Sequence, residues 1–348
     1  MPQQGYDPRI SEIGERIISP PDTAKLEKDA VRTGILCLDS TIPGGLNVQA
    51  GEMIVIQGKE KMRKTTLALN MVRTLCKEGR LKGHVLWETL ESGASPVTVK
   101  EALIAMEATA VLVRRVWGEL PSDLPRKSVV YDGKEYKYMA MKQVEDYKDP
   151  DTGWPLFQLG PRRLLGSKRS PMQQSALEEA KEIVQGWPIV IAGAPKAQGQ
   201  TLSLSTPQNG VGLLSDHRPY KRWLEYIKSY DVKVIVVDHS SAYSVPNAYD
   251  LVTKYITHAT SVVAEHNVIL ISIAQTSLSS KREYAVGGAR QAQEAEIVLR
   301  TEYNPATPYN LQVIPVQSRS EPPPRMNIPI ERFSGLTLPS AYPRATGK

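Results

Sequence analysis

The chain has 348 residues, 41% hydrophobic and 23% charged, which is enough apolar material for a core and excludes disorder along the whole chain. At about 150 residues per domain the length fits two domains or one large α/β domain, and no run of about 18 uncharged apolar residues offers a membrane span. Basic residues outnumber acidic ones by 43 to 37, and the resulting net charge of +6 permits nucleic-acid binding without requiring it.

Residues 1–30 are polar, contain Pro2, Pro8, Pro20 and Pro21, and read as an arm. One short helix is expected over 11–18, with Ile13, Ile17 and Ile18 as a candidate subunit-linking face. The first residues lack the apolar stretch of a secretory signal. The two cysteines, Cys37 and Cys76, make neither a disulfide framework nor a zinc cluster and suit a reducing cytosol. The pattern changes at Val31. Residues 51–57 (GEMIVIQ) form a short apolar strand that runs into a loop. Over 65–77 the spacing predicts a helix, with Leu67, Met71 and Leu75 on one face and Ala68 beside it. A strand over 83–90 and a helix over 96–110 follow. Strand, loop, helix, strand, helix is the order of a parallel α/β sheet with helices on both faces.

Residues 118–172 are rich in charge, Pro and turn signals and read as an insertion rather than a separate core. Asp132-Gly133 predicts a hairpin between SVVY and EYKYMAM. The sheet then resumes: a helix over 175–185, a strand over 187–192, a Gly/Ser/Gln-rich loop over 194–215 and a helix over 218–230. Residues 233–238 (KVIVVD) read as a buried parallel strand. A helix over 249–266 and a strand over 268–274 follow, then strands over 297–300, 310–317 and 326–333 that are open to antiparallel pairing. Residues 31–340 are thus expected to form the main domain, and 341–348 a tail. No internal repeat is visible.

Between the first apolar strand and its helix lies Gly58-Lys59-Glu60-Lys61-Met62-Arg63-Lys64-Thr65-Thr66. This is the position of a phosphate loop, G-x-x-x-x-G-K-[ST]. Backbone N–H groups and a helix N-terminus attract phosphate oxygens. Lys64 fits the lysine that meets the β- and γ-phosphates, Thr65 fits the hydroxyl that holds Mg²⁺, and Gly58 fits the first glycine. Arg63 replaces the second glycine. A side chain at a position that wants positive φ costs on the order of 1 kcal/mol or more. Arg63 either obstructs the nucleotide pocket or meets phosphate directly, beside Lys59 and Lys61.

Taken with VRTGILCLDSTIPGGLNVQAG before the loop, KTTLALN within it and VLWETLES after it, the chain resembles the ATPase core of the RecA superfamily, and within it the DnaB-type replicative helicase domain. The resemblance covers about residues 31–115 and 180–335 and implies a RecA-like P-loop core that binds ATP with Mg²⁺. It implies that Glu91, at the end of VLWETL, polarises the attacking water. Glu88, three residues earlier, points the other way across the pleat. Asp238 follows four buried aliphatics, where an acid is costly unless it meets a cation, and Mg²⁺ through water is the natural partner. The resemblance also makes Gln275 a sensor of the γ-phosphate. The loop TSLSSKREYAVGGA after it becomes a channel-facing segment, in which Lys281 and Arg282 meet phosphates of single-stranded DNA and Tyr284 stacks on a base. Arg319 would reach the nucleotide of a neighbouring subunit. Gln317 stands where the family usually has a lysine, so half of that device is absent.

The expectation is therefore an ATP-driven ring motor on single-stranded DNA, a hexamer by resemblance, in the cytoplasm of a cell or of a phage's host. Two alternatives stay open. One is a catalytically weakened paralogue that serves as a DNA-binding assembly factor, marked by Arg63 and Gln317. The other is a RecA/RadA-type recombination ATPase that forms open filaments.

Overall fold

The computed structural model describes residues 30–31, 33, 39, 46–47, 51–77, 81–89, 96–117, 126–131, 134–139, 146–160, 169–193, 218–238, 249–276, 293–318 and 325–338. The expected arm, the loop over 194–215 and the tail lie outside them. A two-residue pairing of β1 (Ala30–Val31) with β2 (Leu46–Asn47) precedes the main sheet. That sheet begins with β3 (Met53–Gly58), whose residues are all buried. Ile54 and Ile56 face one side and Met53 and Val55 the other. A strand that is apolar on both faces belongs inside a covered parallel sheet. β4 (His84–Thr89), β7 (Ile189–Gly193), β8 (Val232–Asp238), β9 (Ile269–Gln275) and β10 (Ile297–Tyr303) run parallel to it, in the order β10-β3-β9-β8-β4-β7. β11 (Asn310–Ser318) and β12 (Met326–Pro329) add antiparallel strands beyond β10.

Helices cover both faces. On one side α1 (Lys64–Lys77), α2 (Pro96–Trp117) and α3 (Pro171–Gln185) pack against Ile54, Ile56, Trp87, Val234 and Val236. On the other, α4 (Arg218–Tyr230) and α5 (Tyr249–His266) bury Trp223, Ile256 and Val263 against Val55, Leu86 and Ile235. Several elements run past their expected ends. The helix after β4 continues from 110 to Trp117, and its last turn is tied down by Arg114 on Glu107 and Arg115 on Glu179. β10 continues to Tyr303 because β11 pairs with it along its whole length. The strand expected over 326–333 stops at Pro329. There the chain turns around the buried Glu331 carboxylate, which accepts hydrogen bonds from Phe333 N and from Ser334 N and Oγ.

The inserted region holds the expected hairpin as a separate two-stranded sheet, β5 (Arg126–Tyr131) with β6 (Lys134–Met139). Its later part does not stay outside the core. Leu156, Phe157 and Leu159 are at most 2% exposed and pack with the α1–α3 side.

α1 is more deeply placed than a one-sided apolar stripe implies. Every residue from Leu67 to Cys76 is buried, so its polar side chains need partners. Asn70 has them: its Nδ2 donates to Thr66 O and Gly335 O, and its Oδ1 accepts from Thr337 N and Oγ1. Arg73 lies 2.6 Å from the Glu107 carboxylate of α2, with side chains 3% and 0% exposed. Lys77 and Arg114 reach the other oxygen of Glu107. Burial alone would raise the Glu107 pKa, but Arg73, Lys77 and Arg114 outweigh it and hold the carboxyl below its ordinary 4.5.

Breaking a buried ion pair by removing one partner costs about 3–5 kcal/mol, because the other charge stays buried. Glu107→Gln should therefore lower unfolding free energy in urea by about that amount. The folded pKa is depressed, so the stabilisation is complete above pH 4.5 and is lost as pH falls through the folded value. Denaturation of the wild type at successive pH values should show this acid-side loss, and the Gln variant should lack it.

Candidate phosphate-binding site

Three parallel strands end side by side. Gly58 of β3 pairs in register with Gln275 of β9, and Asp238 of β8 pairs with Ile273 of β9. At about 4.8 Å per strand, the loop after β3 and the carboxylate ending β8 stand roughly 10 Å apart laterally, one strand between them. Thr276 N donates to Gly58 O at 3.1 Å, which fixes the β9 end against the start of the loop. Gly58 is required here by its neighbour more than by its own turn. A Cβ on it would lie 2.9 Å from Thr301 O on β10.

Residues 59–63 turn the chain from β3 into α1. Lys61 and Arg63 take φ of 62° and 61°, the left-handed region. The loop thus keeps a glycine-type backbone without the glycine, at about 1–2 kcal/mol for Arg63. The side chain supplies an offset. Its guanidinium sits 4.8 Å from the centroid of Tyr303, and Nη2 donates to Arg332 O at 3.0 Å and to the Tyr303 hydroxyl at 3.5 Å. A cation–π contact is worth about 0.5–1 kcal/mol and a charged hydrogen bond about 1.5–3. Tyr303 is itself held, its N–H donating to Met62 Sδ at 3.3 Å and its hydroxyl to Pro308 O at 3.4 Å.

Of the two fates expected for Arg63, obstruction is not what the structure shows. The side chain is engaged with the C-terminal strands, and a cavity of about 480 Å³ remains over the loop, bordered by Lys64, Thr65, Gln275, Arg63 and Tyr303. Within it Lys64 is 4% exposed, and its Nζ donates to Lys59 O at 2.7 Å. Thr65 Oγ1 donates to Asp238 Oδ1 at 3.3 Å, and Asp238 is 2% exposed. A buried ammonium, a hydroxyl and a carboxylate are thus brought together at a helix N-terminus, a place suited to phosphate. Lys59, Glu60 and Lys61 stand exposed on the rim, the last two 3.8 Å apart as a solvent-facing ion pair. Thr66 is half-buried just before the buried run of α1, and its carbonyl accepts from Asn70.

Among the described residues no three His, Cys, Asp or Glu side chains gather as a metal cluster. One carboxylate beside one hydroxyl nevertheless fits Mg²⁺, which keeps several waters and takes further oxygens from phosphate. Glu88 points away from this site, as the pleat predicts. It is 0% exposed and accepts from Trp223 Nε1 at 3.1 Å on the α4 side. Thr89, which the sequence did not single out, lies in register beside Asp238 and is fully buried. Tyr303 and Arg332 were also missed. They lie far along the chain from Arg63, and no local pattern marks them. Glu91, Lys281, Arg282, Tyr284 and Arg319 lie outside the described residues. Among the described residues no helix is long and apolar enough to cross a membrane.

No family model matches the chain. No curated protein matches it either. Solved structures do match. One, an ATPase domain, aligns over 96% of this chain and 99% of its own, with TM-score 0.56 and 14% identity. A DnaB-like replicative helicase, solved to show its interactions with primase, aligns over 97% of this chain and 67% of its own, with TM-score 0.58 and 13% identity. The chain has the RecA-like α/β fold of these proteins.

The local energetics at Arg63 can be separated by substitution. Arg63→Ala loses the guanidinium contacts and keeps the left-handed strain, whereas Arg63→Gly loses both. The glycine variant should be the more stable of the two by about 0.5–1 kcal/mol in urea denaturation. An alanine variant as stable as the glycine one would contradict the left-handed backbone.

Proposed function

We propose that the chain is an ATP-hydrolysing motor of DnaB helicase type that acts on single-stranded DNA, with ATP sites shared between copies of the chain. The observation that carries this reading is the cavity at the end of β3 that Lys64 and Thr65 border, with Asp238 accepting a hydrogen bond from Thr65. The likeness to a solved ATPase domain and to a replicative helicase supports it.

Each residue has a part in the reading. The Lys64 ammonium leaves the Lys59 carbonyl for the β- and γ-phosphate oxygens, exchanging a neutral acceptor for a charged one. The Thr65 hydroxyl and the Asp238 carboxylate, paired in the free protein, are the groups that would hold Mg²⁺ and its waters. Mg²⁺, when bound, neutralises charge on the β- and γ-phosphates. Gln275 is half-buried at the end of the strand beside the loop, and it is assigned the sensing of the γ-phosphate and the relay of its loss to residues 277–292. Glu91 is assigned the orientation of the attacking water.

Arg319 is assigned to the site of a neighbouring copy. Ser318, the residue before it, pairs with Ile297 at the start of β10, whereas the phosphate loop lies at the opposite end of the sheet. From the level of Ser318 and Ile297 to Gly58 is four residues, roughly 13 Å along strands rising about 3.3 Å per residue, which favours the neighbouring site for this assignment. Lys281, Arg282 and Tyr284 are assigned to the DNA strand, the first two by charge and the last by stacking. A second reading is favoured by one observation, the left-handed Arg63 tied to Tyr303 and Arg332. In it the loop is locked, and the chain assembles on DNA without turnover.

ATP hydrolysis by the purified protein should rise on adding single-stranded DNA. Lys64→Ala should lower kcat/KM by about 100-fold or more, a loss of about 2.7 kcal/mol in transition-state stabilisation. Failure to bind ATP at millimolar concentration by calorimetry would remove the motor reading. Binding without turnover, cured by Arg63→Gly, would select the locked-loop alternative.

A further inference from the structure

The hairpin of β5 and β6 has no part in the motor described above. Among the described residues it pairs with no strand of the main sheet and stands as a two-stranded sheet of its own. Register sorts its residues between two faces. Lys127 pairs with Tyr138, Val129 with Tyr136, and Tyr131 with Lys134. Directly opposed residues share a face, and so do alternate residues along one strand. One face therefore carries Lys127, Val129, Tyr131, Lys134, Tyr136 and Tyr138. Arg126, Ser128, Glu135 and Lys137 belong to the other. Lys127 on the first face and Ser128 and Glu135 on the second are exposed, so both faces are open to solvent at those positions.

The two faces differ in chemistry. Every tyrosine of the ribbon lies on the first, with two lysines and no acid, whereas Glu135 lies on the second. Lysine and tyrosine stand opposite each other at both ends of the first face, in the pairs Lys127–Tyr138 and Tyr131–Lys134. At about 3.4 Å per residue these ends are about 14 Å apart, a length that covers more than one nucleotide. Cations attract phosphates whatever the sequence. Aromatic residues offer stacking surfaces to the bases of an unpaired strand, and this too is tolerant of sequence. A two-stranded ribbon also fits the major groove of duplex DNA. There the bases are already stacked on one another, and tyrosines gain no ring face to meet. The gathering of Tyr131, Tyr136 and Tyr138 on the cationic face thus favours a single strand.

We propose that the β5–β6 ribbon is a second contact for single-stranded DNA, apart from the loop assigned to that role above. Lys127 and Lys134 serve the phosphates, and Tyr131, Tyr136 and Tyr138 serve the bases. This contact needs no nucleotide and does not depend on Lys64.

Fluorescence anisotropy with a labelled oligothymidylate, in the absence of ATP, tests this. Lys127→Ala with Lys134→Ala should make the slope of log affinity against log salt shallower by about 1.4, the change expected for two phosphate contacts on a single strand. Tyr136→Ala should weaken binding by about 10-fold, and Tyr136→Phe should retain it. Binding of a duplex of the same length should not depend on Tyr136. Should Tyr136→Ala disturb the ribbon, Lys127→Glu at its exposed position gives the charge readout alone, as weaker binding with a shallower salt slope. ATP affinity, measured on each variant by calorimetry, should match the wild type. An affinity and a salt slope unchanged by all of these substitutions would overturn the ribbon contact and leave the motor reading standing. Equal losses for duplex and single strand with Tyr136→Ala would overturn the single-strand assignment in favour of groove binding. A wild type that does not bind the oligothymidylate would overturn the ribbon contact together with the DNA part of the motor reading, whereas the phosphate site is judged by ATP binding alone.

Discussion

Parallel pairing of β3 with β9 and of β9 with β8 decides where the chemistry can be. It brings the loop after Gly58, the amide of Gln275 and the carboxylate of Asp238 to one edge of the sheet, although they come from distant parts of the chain. Register is enforced because both faces of these strands are buried. A slip of one residue would drive Gln57 and Ser272, now placed among the strands, into positions held by Ile56 and Ile273. The apolar core on either side thus fixes the alignment of strand ends, and that alignment brings Thr65 within hydrogen-bond distance of Asp238.

Arg63 shows how a local penalty is met by a distant contact. The left-handed backbone at this residue would be ordinary in glycine and is costly in arginine. The guanidinium recovers that cost at Tyr303 and at the Arg332 carbonyl, which are 240 and 269 residues away in sequence. A glycine loop is shaped by its own freedom, whereas this one is shaped by an anchor on the last strands. The loop is consequently tied to the β10–β11 end of the sheet, with Tyr303 contacted by both Met62 and Arg63.

Much of the architecture was readable from residues. The apolar GEMIVIQ, KVIVVD and VILISIAQ stretches announced covered parallel strands, and Asp132-Gly133 announced the hairpin, because these signals are local. Lys64, Thr65 and Asp238 were legible as candidates for the same reason: each sits at the junction of a periodic element and a loop. Other features had no local signal. Asn70 looks like an indifferent polar residue in a helix, yet its four hydrogen bonds reach Gly335 and Thr337 as well as its own helix. Glu107 reads as one charge in a long apolar helix, and only the packing of α2 on α1 reveals that it must neutralise Arg73. Phe157 lies in a stretch that composition marked as an insertion without a core of its own, and composition cannot show that part of it packs into the main core.

The link between Asn70 and residues 335–337 has a consequence for how the molecule is made. Asn70 Nδ2 must wait for Gly335, 265 residues later, before its second acceptor exists. At about 5–20 residues per second on the ribosome, that wait is roughly 13–53 s. During it the nascent helix carries an amide, and at its N-terminal end a strained arginine, whose partners have not been synthesised. Gly335 itself closes against Thr66, so tightly that a Cβ there would come within 2.5 Å of the Thr66 methyl. The helix that carries Lys64 and Thr65 is therefore made well before the residues that complete its contacts.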